Sequence, residues 1–178
     1  WGATATTMGL RPPDPEVVGE RWYAMWMERL ENAPNLVADW MEHQTRDGQW
    51  QHGSVCEDYR AIEAAVYALG GWADGYSNTV PRLVAGIKAP CRGVIGPWTH
   101  SYPWKAKPGP AINGLKDLCR WWDHWLKGID TGMMEEPRLR VWMQERVPPA
   151  TFYAHRPGRW VAEESWPSDN IAAMRFHL

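Results

Sequence analysis

Apolar positions along this chain follow two different periods. Val18, Trp22, Met25, Trp26 and Leu30 recur at three- and four-residue spacing, which predicts one broad helical face. Asp14-Pro15-Glu16 supplies the start, with Asp as N-cap and Pro in the first helical position, and Asn32-Ala33-Pro34 supplies the stop. Leu36, Val37, Trp40 and Met41 predict a second short helix, followed by a polar loop from His43 to Gly48 and by Trp50. Ser54-Val55-Cys56-Glu57 has the form of a capping box and predicts a helix through Tyr59 and Ile62. The period then changes. Ala64 to Leu69 and Gly93-Val94-Ile95 are short continuous apolar runs, closed by Gly70-Gly71 and Gly96-Pro97, and such runs suit strands covered on both faces. Val80, Leu83 and Val84 between them predict a helix returning from one strand to the start of the next, the pattern of a parallel βαβ unit.

Beyond a loop rich in Pro, Lys and Gly (103–110), residues from about Asn113 to Lys127 predict the clearest helix. Its expected buried face is Leu115, Leu118, Cys119, Trp122, Trp125 and Leu126, with Gly128 at the C′ position. Asp123 and Lys127 stand four apart on the expected exposed side. Leu139, Val141 and Met143 alternate, marking a last core strand. After Pro148-Pro149 the texture becomes short aromatic pieces separated by turns.

The two predicted strand ends carry the candidate chemistry. Asp74 follows the first within a turn and His100 follows the second, and reactive groups of open α/β sheets collect at the carboxyl ends of strands. An Asp and then a His in this order match the last two members of a Ser-His-Asp triad in the α/β-hydrolase chain order. Asp58 is a rival carboxylate but lies inside a predicted helix, and His124 beside Asp123 reads as a solvated helix residue. His43, Asp47 and His52 lie close together without zinc-ligand spacing, so no metal site is expected.

The lettering around the pair resembles the CocE/NonD branch of the X-Pro dipeptidyl-peptidase-like serine hydrolases, which holds cocaine esterase and α-amino-acid ester hydrolases. The motifs are Gly70-Gly71-Trp72-Ala73-Asp74-Gly75-Tyr76, Gly96-Pro97-Trp98-Thr99-His100, the run from Arg120 to Asp130, and the run from Arg156 to Pro167. The resemblance implies an α/β fold: the C-terminal part of an α/β-hydrolase, with the end of a helical cap in 1–53, the C-terminal half of the core in 54–148 and the start of a β jelly-roll domain in 149–178. It implies Asp74 and His100 as catalytic residues, and hydrolysis of a small-molecule ester or peptide (acyl or X-Pro dipeptidyl type) through an acyl-enzyme intermediate without a cofactor. Trp40 or Trp50, near the end of the cap, would line the acyl pocket as substrate-binding residues, or simply pack the helices together.

The family's nucleophile lies in a G-x-S-x-G elbow upstream, and no G-x-S-x-G occurs in these 178 residues. Ser54 reads as a cap, while Ser77 and Ser101 sit in no elbow. The sequence therefore reads as a fragment cut before the nucleophile, expected to be inactive alone. Composition narrows the classes further. A formal charge of −2 with 22% charged residues gives no electrostatic case for nucleic acid or an anionic membrane. No apolar run approaches a membrane span, and the first residues show no signal-peptide pattern, which favours the cytoplasm. Three scattered cysteines predict no disulfide framework. Fourteen tryptophans leave one different class open, a non-catalytic Trp-rich module binding carbohydrate or protein, which would present aromatics to solvent.

Overall fold

A computed structural model describes residues 2–177. The chain divides into two compact units after Ser54. The N-terminal unit is helical: α1 (Gly2–Gly9), α2 (Pro15–Val18), α3 (Trp22–Asn32), α4 (Leu36–Glu42) and α5 (Gly48–His52). Asp14 caps α2 through the Glu16 N–H, with Pro15 in the first turn as expected. The single helix predicted from Pro15 onward is broken, however. Gly19 takes φ 63°, a left-handed conformation that glycine adopts without a Cβ clash, and a 3₁₀ turn (Gly19–Arg21) separates α2 from α3. Within this unit α3 is tied to the segment before it by the Trp26 indole and the Arg29 guanidinium, which donate to the carbonyls of Leu10 and Arg11.

The second unit holds a four-stranded sheet in the order β1 (Val66–Gly71), β2 (Cys91–Gly96), β3 (Leu139–Gln144), β4 (Gly158–Glu163). β1, β2 and β3 are parallel and β4 returns antiparallel along β3. α6 (Thr79–Gly86) is the crossover from β1 to β2, and α7 (Gly114–Lys127) precedes β3. Alternation along β1 divides the core between two faces. On one, Val80 and Val84 of α6 pack with Ala68, Ile95, Cys91 and Leu139. On the other, Val94 and the buried Trp98 meet Tyr67 and Leu69, and Trp121 of α7 lies 5.4 Å from Tyr67 between ring centroids. Both faces are covered, which is why these strands are apolar without strict alternation. Arg138 satisfies the end of the crossover helix, donating to the carbonyls of Val84 and Ile87.

Three expectations fail here for identifiable reasons. No helix starts at Ser54: its hydroxyl donates back to the Trp50 carbonyl, and residues 55–61 make two 3₁₀ turns, with Asp58 capping the second through the Arg60 N–H. The buried side of α7 is also not the predicted apolar one. Trp121 is fully buried while Leu115 and Trp122 are half exposed and Leu126 is 74% exposed. What turns the helix is polar. The Asp117 carboxylate accepts from Arg140 of β3 (2.7 Å) and from the Tyr67 hydroxyl of β1 (3.2 Å), and Arg120 pairs with Glu136 (2.8 Å). This partly buried, charge-assisted network rotates the helix so that Asp117 and Trp121 face the sheet. In β3 Leu139 and Val141 face the core as expected, but Met143 at the strand's end is exposed, and Trp142 on the other side is buried as well, its indole donating to the Arg156 carbonyl and packing against Trp160 of β4. Antiparallel addition of β4 supplies that cover. Among the described residues no helix is long and apolar enough to cross a membrane.

Candidate active site

β1 and β2 end level with each other, Gly71 opposite Gly96, and the segments leaving them are locked together. The Trp72 N–H donates to the Gly96 carbonyl and the Ala73 N–H to the Trp98 carbonyl, both at 2.9 Å. Trp98 folds back under the ends of the strands, with its indole N–H on the Pro110 carbonyl. Glycine makes this approach possible. A Cβ at Gly71 would lie 2.1 Å from the Trp98 carbonyl oxygen, and one at Gly96 2.2 Å from the Trp98 ring. The two strand ends are thus a single backbone-bonded corner.

That corner sets Asp74 beside His100. One carboxylate oxygen of Asp74 accepts the Tyr76 backbone N–H at 2.9 Å, and the other lies 2.8 Å from His100 Nδ1. The Tyr76 backbone N–H, and then the His100 imidazole, hold the Asp74 carboxyl below the usual carboxylate range against the opposing effect of desolvation. With Asp74 ionised, Nδ1 carries the proton and donates it, which leaves Nε2 as the free, basic nitrogen. The Asp74 side chain is 13% exposed and the imidazole 77% exposed, so the carboxylate is sheltered and the imidazole open. The Tyr76 ring stands edge-on to the imidazole at 5.8 Å. Beside the pair is a cavity of about 610 Å³ whose walls include Leu69, Trp98, Ser101, Trp104 and Leu118.

The remaining sequence candidates fall elsewhere. Trp40 and Trp50 pack against each other in the N-terminal unit, ring centroids 6.3 Å apart, with the Trp50 indole on the His43 carbonyl. His43 Nδ1 pairs with Asp47 at 2.6 Å, and the other Asp47 oxygen caps α5 through the Gln49 N–H. Asp58 is a cap, and His124 lies half-buried with its ring edge-on to Trp125. Ser101 turns its backbone N–H to the Thr99 carbonyl, and Ser77 turns its own to Asp74. Tyr76 and Trp98 belong to this corner without having been singled out beforehand. Both lie inside the motifs that carry Asp74 and His100, so the only available signal was adjacency.

The sequence profile of the X-Pro dipeptidyl-peptidase family (S15) matches residues 2–102, which include both strand ends, Asp74 and His100. The chain belongs to the S15 family. Two relatives of this S15 chain, "Putative serine esterase Mb1866c" of Mycobacterium bovis and its namesake MT1883 of Mycobacterium tuberculosis, are each 29% identical to it over 117 residues, 62% of this chain and 17% of theirs. Two crystal structures of SACOL2612, a CocE/NonD family hydrolase from Staphylococcus aureus, share its fold with TM-scores of 0.58 and 0.56 at 15% and 14% identity. They align over 84% and 83% of this chain and 25% of theirs. The S15 chain therefore has a mixed α/β fold shared with CocE/NonD family hydrolases and belongs to a family of serine hydrolases. It spans about a sixth of the length of the curated relatives it matches and a quarter of the solved chains.

Proposed function

We propose that Asp74 and His100 are the orienting acid and the general base of a Ser-His-Asp triad that cleaves a small-molecule ester or peptide bond, of acyl or X-Pro dipeptidyl type. The observation that carries this is the 2.8 Å Nδ1–carboxylate contact between side chains leaving two adjacent parallel strands. His100 Nε2 takes the proton of a serine hydroxyl as its oxygen bonds to the substrate carbonyl carbon. It returns that proton to the leaving alcohol or amine as the carbon–oxygen or carbon–nitrogen bond breaks. Water then repeats the sequence on the acyl-enzyme. Asp74 keeps the imidazole in the tautomer with Nε2 free and stabilises the imidazolium. The serine and the donors for the oxyanion come from outside these 178 residues, in which no G-x-S-x-G occurs. On the same reading residues 1–53 close a helical cap to which Trp40 and Trp50 belong, and 149–178 lead into a jelly-roll domain. No cofactor takes part in this scheme.

The test uses the full-length enzyme and an activated ester. His100→Ala abolishes turnover, and Asp74→Asn lowers kcat by roughly 10⁴ through the wrong tautomer. A near-normal rate in either variant overturns the assignment. The 178-residue chain alone gives no turnover above background. Turnover by it that disappears in His100→Ala would reveal a nucleophile within the chain.

A further inference from the structure

The loop after His100 is built as a rigid wall. The Pro103 ring is buried, the Pro103 carbonyl accepts the Ile112 N–H at 3.0 Å, and the Tyr102 carbonyl accepts the Lys105 N–H at 2.9 Å. Thr99 fixes the base of the loop, its N–H and its hydroxyl both donating to the Lys107 carbonyl. Gly114 at the start of α7 leaves the space that Pro103 and Trp104 fill, since a Cβ there would lie 3.3 Å from Pro103 and 3.5 Å from the Trp104 ring. On this frame Tyr102 and Trp104 stack almost in parallel, centroids 4.9 Å apart and planes 13° from parallel, although Tyr102 is 66% exposed. Both rings line the cavity that contains His100, with Leu69, Trp98 and Leu118 as further wall. Apart from Asp74 and His100, which are engaged with each other, Tyr102 is the one ionisable residue lining the cavity among the described residues.

We infer that the Tyr102–Trp104 wall is a specificity element that binds an uncharged aromatic ring of the substrate beside His100. This rests on the reading of His100 as the base, but concerns recognition and not proton transfer. A flat ring gains offset stacking or edge contact on the aromatic wall beyond the area it buries. A loop already fixed by its backbone loses little entropy when the ring arrives. An aromatic wall also attracts cations. Here the Asp74 side chain is only 13% exposed and its two oxygens are already engaged by His100 and by the Tyr76 N–H, so a cation on the wall finds no carboxylate oxygen free to contact it directly.

Ketones that match esters in shape but are not hydrolysed separate binding from turnover. In the full-length protein, calorimetry or ligand-observed NMR is run with acetophenone and with 4-phenylbutan-2-one. These place the ring on the acyl and on the alcohol side of the carbonyl, and the tighter of the two identifies the side. Cyclohexyl methyl ketone should bind several-fold more weakly than acetophenone, and phenyltrimethylammonium more weakly than either aromatic ketone. Trp104→Ala should weaken the preferred ketone by roughly tenfold, and Tyr102→Ala by a few-fold. If Trp104→Ala does not fold, the exposed Tyr102→Ala and the milder Trp104→Phe decide. Equal affinity for the cyclohexyl ketone, tighter binding of the cation, or unchanged affinity in the variants that fold overturns the proposal. His100→Ala distinguishes the two readings. Ester turnover should be lost in it, and turnover that survives would remove the base assignment without touching the wall, which the ketone affinities of the Tyr102 and Trp104 variants test by themselves.

Discussion

Gly71→Ala should damage the site more than any other single methyl group added to the chain. In most strand positions an added Cβ is neutral or mildly stabilising, because it restricts the unfolded chain by about 0.4–1 kcal/mol. At Gly71 it would lie 2.1 Å from the Trp98 carbonyl oxygen and 2.6 Å from the carbonyl carbon. Reaching even a 3.0 Å contact requires a displacement of about 0.9 Å, and the obstacle is backbone, which cannot rotate away as a side-chain tip can. Forcing an extra carbon into a packed site costs roughly 1–3 kcal/mol. The same Trp98 carbonyl accepts the Ala73 N–H at 2.9 Å, and moving it by that amount stretches or breaks a bond with a net worth of about 0.5–1.5 kcal/mol. The clash therefore outweighs the entropic gain, with a net loss of about 0.5–4 kcal/mol.

For a chain of this length each kcal/mol lowers Tm by roughly 2–4 °C, so the melting point of Gly71→Ala should fall by roughly 1–16 °C. His100, the proposed base, is two residues beyond Trp98, and a shift near 1 Å in such a group costs on the order of 10² in rate. Ester turnover in the full-length enzyme should therefore fall at temperatures where the protein is still folded. Gly75→Ala is the control. It adjoins Asp74 in sequence, but a Cβ there meets nothing within 4 Å, so stability should stay within about 0.5 kcal/mol of wild type. Circular dichroism melts and initial rates on the pair decide. Equal Tm and equal rate for the two variants would refute the idea that the Trp98 carbonyl holds the corner together.

Burial, countered in part by Arg140, pushes the Tyr67 hydroxyl up to about 12. Tyrosinate absorbance should therefore show Tyr67 protonated above pH 10; its contribution to stability is complete below its unfolded value near 10 and is lost as pH rises through 12. Asp117→Ala removes the shared acceptor of Tyr67 and Arg140 and should cost about 1–3 kcal/mol in denaturant unfolding, whereas Asp117→Asn, which keeps an acceptor, should cost less. Asp74, held low first by the Tyr76 N–H and then by His100, contributes stability above the usual carboxylate value, and that contribution should fade only as pH falls through its depressed folded value; NMR of the Asp74 carboxyl carbon reads it. The exposed Asp123–Lys127 pair at 2.6 Å should contribute little to stability in a double-mutant cycle, despite its short distance.

What the sequence made legible was whatever depends on local chemistry. The Gly-bounded apolar runs became β1 and β2, Asn113 and Gly128 cap the two ends of α7, and Asp14-Pro15 starts α2. The adjacency of Asp74 and His100 was legible because two parallel strands of matched length put their following turns side by side. The face of α7 was not. Hydrophobic periodicity assigns the apolar stripe to the core, and the stripe of Leu115, Trp122 and Leu126 is exposed here because Asp117 is held by Arg140 and Tyr67, residues 23 and 50 positions away. Capping-box lettering failed at Ser54 for a different reason. The hydroxyl found a carbonyl four residues back, one of the competing local backbone partners open to a short polar side chain besides a helix N-terminus.

The same contrast explains how this corner can carry chemistry. A triad's orienting acid must hold one imidazole tautomer while leaving the other nitrogen open, so the carboxylate has to be fixed more firmly than the ring it serves. Both requirements are met through the backbone. Trp72 and Ala73 are bonded to Gly96 and Trp98, which fixes the turn bearing Asp74 to the turn bearing His100, and the Tyr76 N–H then fixes one oxygen of the carboxylate. Only the remaining oxygen is left to direct the imidazole, and the imidazole itself stays 77% exposed. Side-chain substitutions around the pair should therefore move its geometry less than substitutions at the two glycines that let Trp98 in. Placing Asp74 and His100 correctly depends on the absence of a Cβ at Gly71 and Gly96, residues with no side chain to contribute to catalysis.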